Sequence, residues 1–246
     1  MLLLLPPSET KRDGGEAGTR LAVDSLAFAA LSPERTAVIE ALVRLCADDE
    51  AAIAALKLGP KQRDEVERNR RLTEAPLLAA IDRYTGVLYD ALDASSLDAE
   101  QRRFAGRHIA IHSALFGPLS ALDAIPPYRL SHDSRLPGMP LKRHWRAAVG
   151  QALSEAHGLV LDLRSEAYTA LGPAPDGSYF VRVVTEDADG RRRALNHFNK
   201  QAKGQFVRSI IEAGIEHTGA DSLLSWAADA GIRIGHGAPG ELELVV

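Results

Sequence analysis

Leu159-Val160-Leu161-Asp162-Leu163-Arg164-Ser165 is the stretch on which the fold class turns. Its opening residues are almost continuously apolar rather than alternating, as expected of a short strand covered on both faces of a sheet. The run then delivers a cation and a hydroxyl, Arg164 and Ser165, into a helix start. A second run of the same kind opens the chain: Met1-Leu-Leu-Leu-Leu5, followed by the polar, Gly- and Pro-rich Pro6-Pro-Ser-Glu-Thr-Lys-Arg-Asp-Gly-Gly15. The two runs are expected to be neighbouring strands of one central sheet. Ligands of open α/β sheets gather at strand carboxyl ends, so the two polar exits are where a site is sought first.

Outward from these strands, helix and strand patterns alternate. Ser32-Pro33-Glu34-Arg35 reads as a helix opening with Ser32 as N-cap and proline in the first turn. Its stripe of Val38, Ile39, Leu42, Val43 and Cys46 recurs at threes and fours. Residues 48–80 read as helical, with the charged run Lys61–Arg71 as a solvated face. Arg83–Tyr89 reads as a short strand or turn entering a helix, and Ser96–Glu100 carries a capping pattern for the next one. The apolar segment Ile109–Phe116 is then broken by Gly117-Pro118. After a turn-dense middle, a helix is expected from Leu141 through Trp145 toward His157-Gly158. Tyr179–Val184 and Arg192–Phe198 flank Asp187-Ala188-Asp189-Gly190, a hairpin signal. Asn199 is placed to cap a helix over Lys200–Ala213. A helix Ser222–Ala230 and closing strands Ile232–Gly235 and Glu241–Val246 follow. Hairpins among the alternating elements make the expected fold α/β, a mixed central sheet flanked by helices, as a single domain over residues 1–246.

Composition is that of an ordinary globular protein. The 246 residues are 46% hydrophobic and 25% charged, which excludes a wholly disordered, collagenous or coiled-coil chain. The single cysteine, Cys46, excludes an intrachain disulfide and a cysteine-based zinc site, and points to a reducing cytoplasm. Its place on the apolar stripe argues for a packed thiol rather than a nucleophile. A formal net charge of -4 means that any nucleic-acid binding has to come from a local basic face. The opening leucines stop at Pro6 with no charged region before them, so they read as a buried strand rather than a signal peptide. No stretch has the roughly 18 apolar residues of a membrane span.

Gly235-His-Gly-Ala-Pro-Gly240 matches the dinucleotide fingerprint in letters, but no helix can follow before the last residue, so it is set aside. His108 and His112 stand four apart with no third ligand nearby, and a chance pair is the better reading; no metal or cofactor is expected. The basic clusters are more informative. Arg191, Arg192, Arg193, Lys200, Lys203 and Arg208 share a stretch without an acidic residue, and Ala202 and Gly204 are small enough to let a phosphate backbone or a partner strand come close. A second group, Arg129, Arg135, Lys142, Arg143 and Arg146, holds His132, His144 and one acid, Asp133. Such faces attract anions, against an equally weighted reading as solvated surface.

Five segments, in order along nearly the whole chain, resemble the YaaA (peroxide-stress) family. Met1–Thr10 resembles its opening strand followed by Ser-Pro-Ala-Lys-Thr, and Tyr84–Leu92 resembles its Phe-Lys-Gly-Asp-Val-Tyr-x-Gly-Leu. Ile111–Leu130, ending in Pro127-Tyr128-Arg129-Leu130, is similar to the family's longest run, which ends in Pro-Tyr-Arg-Leu. Leu161–Tyr168 resembles Asn-Leu-Ala-Ser-x-Glu-Tyr, and Phe198–Arg208 resembles Tyr-Ala-Lys-x-Ala-Arg-Gly-x-Met-Ala-Arg. The chain departs from these patterns at Glu9, where the family has lysine (Lys11 is two positions on), at Ala167 in place of glutamate, and at Lys203 in place of arginine. The resemblance implies a cytoplasmic protein with an unusual α/β fold and a helix-hairpin-helix-like element. It also implies double-stranded DNA binding, protection against peroxide and a link to iron homeostasis. Gly117-Pro118, between apolar segments at Phe116–Leu119, is compatible with such a hairpin.

Two functions stay open. One is a stress protein that holds duplex DNA weakly and without sequence preference through a basic cleft. The other is an enzyme acting on a nucleotide or another small anion in a pocket lined by Lys, Arg and Tyr. The residues expected to converge are Ser8, Lys11, Tyr128, Arg129, Arg164, Ser165, Lys200 and Lys203, with Arg135 and Arg208 as further anion-binding candidates.

Overall fold

The structure, a computed structural model, describes residues 1–187, 192–194 and 199–246. Its strands are β1 (Leu2–Leu5), β2 (Leu78–Ala79), β3 (Ile109–Ser113), β4 (Gly117–Ser120), β5 (Ala124–Ile125), β6 (Val160–Asp162), β7 (Tyr179–Glu186), β8 (Arg192–Ala194), β9 (Ile234–His236) and β10 (Glu241–Val245). Its α-helices are α1 (Ser32–Leu45), α2 (Asp49–Leu56), α3 (Asp64–Arg70), α4 (Ala80–Arg83), α5 (Val87–Leu92), α6 (Ala99–His108), α7 (Leu141–Ser154), α8 (Glu166–Thr169), α9 (Asn199–Ala213) and α10 (Ala220–Asp229).

The two apolar runs are adjacent strands, as expected. β1 pairs in parallel with β6, Leu3 opposite Leu161, and on its other edge in parallel with β3, Leu4 opposite Ala110. Leu3, Leu4 and Leu5 have no exposed surface, and each contributes roughly 1.5–3 kcal/mol of burial. The sheet runs β4-β3-β1-β6-β7-β10-β9, with β8 added to β7. It is mixed, because the hairpins β3–β4, β7–β8 and β9–β10 are antiparallel. Helix α6 packs on β1 and β4, α7 on β4, and α9 on β7 and α5. One hydrophobic cluster extends from Met1 to Leu244.

Several local expectations come out differently. Ser32 is the first helical residue of α1 rather than its cap, because a 3-10 turn at Ala29–Leu31 runs directly into the helix. The capping pattern of Ser96–Glu100 is realised through Asp98, which caps α6 by accepting from the Glu100 and Gln101 amides while the Gln101 side chain reaches back to the Asp98 amide. Gly117-Pro118 does not join two helices: it opens β4, whose pairing with β3 makes this segment a β-hairpin. Proline is tolerated there because β4 is an edge strand. Of the glycines of 235–240, Gly235 lies in β9 opposite Glu243, while Gly237 and Gly240 belong to the β9–β10 turn. Cys46 is fully buried, and burial raises its thiol pKa. The turn read at Asp187–Gly190, as well as Arg191 and Phe198, falls wholly or partly outside the described residues.

Candidate functional site

The sheet's order changes direction at β1: the chain runs from β1 to β3 on one side and from β6 to β7 on the other. In open α/β sheets a crevice forms outside the carboxyl ends of strands at such a point. Here it is a cleft of about 630 Å³, reached by Pro6, Pro7 and Glu9 after β1 and by Leu163–Tyr168 after β6. A second feature widens it. Phe180 pairs with Glu241 of β10 on one edge and with Asp162 of β6 on the other. Val184 pairs with Val245 of β10 and with Ala194 of β8. β6 and β8 therefore share one edge of β7, and on that edge residues 181–183, paired with β10 on the other, have no ladder partner among the described strands. Leu163, Phe180, Arg182, Val183 and Lys203 surround that gap.

The wall from α9 supplies the cations. Lys200 is exposed and Lys203 only 4% exposed, and both line the cleft. Lys203 Nζ donates to the Leu163 carbonyl at 2.9 Å and lies 5.1 Å from the Phe180 ring centroid. An ammonium has three donors, and the second nearby carbonyl, Arg164 O, stands at 3.5 Å, so Lys203 keeps donor capacity for the cleft. Burial, with Arg182 beside it, lowers its pKa to about 8 against the opposing pull of Asp162. Gly204 serves packing rather than ligand approach. A Cβ there would lie 2.2 Å from the Leu88 carbonyl oxygen, so the close approach expected of a phosphate backbone or a partner strand is made instead by helix α5.

The wall from the loop after β1 is held from behind. Lys11 Nζ donates to Ser8 O at 2.8 Å and Glu9 O at 3.3 Å, and it sits over the Tyr128 ring at 4.2 Å and the Tyr84 ring at 5.4 Å. Burial lowers its pKa to about 7, partly opposed by Glu9. The hydroxyls of Tyr84, Tyr128 and Ser113 form a buried chain with 2.7 Å links. Burial pushes both phenols above their ordinary pKa. Arg129 Nη1 stands 3.3 Å from the Glu9 carbonyl and 3.3 Å from Glu9 Oε2. Its backbone is clamped by the buried Asn69, which accepts from the Arg129 amide at 2.8 Å and donates to its carbonyl at 2.9 Å.

Sequence-predicted residues thus fall into three groups. Ser165, Lys200, Lys203 and the backbone around Arg164 line the cleft. Ser8, Lys11, Tyr128 and Arg129 stand next to its Glu9 wall. Arg135 and Arg208 do not line it. Arg135 is exposed, with its amide bonded to Ala55. Arg208 ties α9 to the end of α5 through Glu212, Leu92 O, Asp93 O and Ser96. Arg164 turns inward: it is fully buried, with its guanidinium on Asp162, the Gly172 carbonyl and His112 Nδ1. Burial, and then the Arg164 cation beside it, hold the His112 pKa well below the usual value, so it stays neutral. His108 is not its partner but bonds the Met1 carbonyl. Among the described residues no three His, Cys, Asp or Glu side chains gather to hold a metal ion.

Sequence reasoning missed Asn69, Phe180 and Arg182, and named His132 only as part of the second basic group. Arg182 carried a signal, a lone cation inside Tyr179-Phe-Val-Arg-Val-Val184. In the structure it pairs with Glu241 at 2.6 Å and stands 5.4 Å from the Phe180 ring.

Fold and cleft together define an α/β protein with a cationic crevice at the switch point of a mixed sheet. A family model described as peroxide stress protein YaaA matches residues 1–229. Among curated relatives, a UPF0246 protein of Streptomyces coelicolor is 42% identical over 245 residues, 97% of this chain and 94% of its own length. UPF0246 proteins of Corynebacterium efficiens and Corynebacterium glutamicum strain R are each 41% identical, covering 100% and 95% of this chain and 100% and 94% of their own lengths. The chain belongs to the YaaA peroxide-stress family. No helix among the described residues is long and apolar enough to cross a membrane.

Proposed function

We propose that this chain serves the peroxide-stress response in the cytoplasm through its cleft, which takes a small phosphate-bearing ligand. The observation that carries the proposal is the burial of Lys203: a 4%-exposed ammonium beside a cleft of about 630 Å³ is within reach of a small molecule, whereas duplex phosphates meet surface side chains. Lys200 at the rim adds a mobile, hydrated cation, a point charge suited to phosphate. The free, buried Cys46 fits a reducing compartment.

The exposure of Lys200 and Arg193 favours a second reading, weak duplex DNA binding along the rim. Arg208 weakens that reading, because its guanidinium is engaged by four neighbours. The family's link to iron limitation is compatible with either and needs no metal held by this chain.

Titration of inorganic phosphate and of a labelled duplex, each at several salt concentrations, separates the two. The cleft reading expects saturable phosphate binding that survives moderate salt, with little duplex binding. The rim reading expects duplex affinity that falls with log salt by roughly 0.9 per phosphate contact, and no saturable phosphate binding.

A further inference from the structure

The cleft carries more than cations, and the additional groups say what a ligand must offer besides phosphate. Tyr168, on the cleft wall, is 5% exposed, and its hydroxyl makes no hydrogen bond; the His132 backbone amide approaches without closing one. A buried hydroxyl without a partner is desolvated with nothing in return, so its retention calls for a group that arrives with the ligand. Two acceptors accompany it. Asn199 Oδ1 is buried without a partner, and Glu9 Oε2 lies in the ion pair with Arg129 but outside hydrogen-bond geometry. A carboxylate and an amide oxygen take N–H or O–H donors; a phosphodiester offers none, and inorganic phosphate near neutral pH offers only its own remaining O–H. A duplex backbone therefore satisfies Lys200 and Lys203, and at most takes the Tyr168 O–H as a further donor, but leaves the two acceptors, Glu9 Oε2 and Asn199 Oδ1, as they are. The exposed His132 ring at the mouth, 5.2 Å from Tyr168, adds a flat π face of the kind on which bases stack.

We infer that the ligand of the cleft is a nucleoside monophosphate, its phosphate held by Lys200 and Lys203 and the donor-bearing edge of its base or sugar read by Tyr168, Glu9 and Asn199. This rests on the phosphate-ligand reading above and goes beyond it by naming the rest of the molecule. The charge pattern agrees, since the acids of the cleft, Glu9 and Glu166, stand on the loop after β1 and at the start of α8 while its lysines stand on α9.

Calorimetric titration with AMP, GMP, CMP and UMP beside inorganic phosphate tests it on the full chain. At least one nucleotide is expected to bind ~10-fold or more tightly than phosphate, the gain from about one to two added hydrogen bonds. Tyr168→Phe is expected to weaken that nucleotide about 3- to 10-fold, leave phosphate unchanged, and not lower the thermal midpoint of the unliganded protein. A hydroxyl that held the fold together would lower it. Glu9→Gln is expected to reorder the four nucleotides while phosphate binds as well or better. Nucleotides no tighter than phosphate, or equal losses of both ligands in Tyr168→Phe, overturn this inference and leave the phosphate reading standing. If neither phosphate nor any nucleotide binds, both fall.

Discussion

Lys11 and Lys203 are both buried lysines whose pKa burial lowers, to about 7 and about 8. They differ in what surrounds them. Lys11 is enclosed by two carbonyls and two tyrosine faces behind the β1 loop, so its amine works on the protein itself. Lys203 borders open space, with Lys200 next to it on the same cleft. Burial and a shifted pKa alone do not mark a binding group; access does. The contrast between an enclosed side and an open side runs through the whole site.

The largest effect belongs to the enclosed side. Arg164 and Asp162 are paired through two hydrogen bonds of 2.8 and 2.6 Å, and both are essentially unexposed. Arg164→Met leaves a buried carboxylate without its cation and is expected to cost about 3–5 kcal/mol in urea unfolding. A loss below about 1 kcal/mol would mean that the guanidinium is not structural and faces the cleft after all.

Next is the α5–α9 contact. Gly204→Ala pushes a methyl group against the Leu88 carbonyl oxygen and the Ala91 side chain, for an expected loss of about 1–3 kcal/mol. Because α9 also carries Lys200 and Lys203, phosphate affinity is expected to fall with it. An unchanged affinity would show that the cations are positioned independently of this packing.

The lysines themselves are separated by pH. Above the folded pKa of about 7, Lys11 is mostly neutral in the native protein, while in the unfolded chain it remains protonated to about 10.5. The unfolded state thus binds more protons over this window, and Lys11 makes stability rise with pH. Lys203 does the same from about 8 upward. Between pH 7 and 9, Lys11→Met is expected to remove on the order of 1–2 kcal/mol of that rise. Equal pH slopes for variant and wild type would show that the tyrosine faces keep Lys11 charged throughout.

How much of this was legible depended on whether residue type alone decided the outcome. β1 and β6 were legible because continuous leucine and valine runs have few other ways to be buried. The Ile109–Ser120 hairpin was not, because an apolar run beside Gly-Pro reads equally as a helix break. Only the sheet edge explains how Pro118 sits in a strand. Lys200 and Lys203 were recognised as anion-binding candidates, but the burial of one and exposure of the other comes from how α9 packs on α5 and β7. Arg208, one turn beyond, reads the same in sequence and is drawn into a local network by Glu212 and Ser96. Asn69 gave no signal, since its role depends on a loop 60 residues away.

The most direct test of the central claim is calorimetric titration of inorganic phosphate into wild type, Lys203→Met and Lys11→Met at one pH near 7. The account predicts that Lys203→Met weakens phosphate ~10-fold or more, as loss of a charge-assisted hydrogen bond does, while Lys11→Met stays within about 3-fold of wild type. Phosphate affinity unchanged in Lys203→Met, or lost equally in both variants, would contradict it.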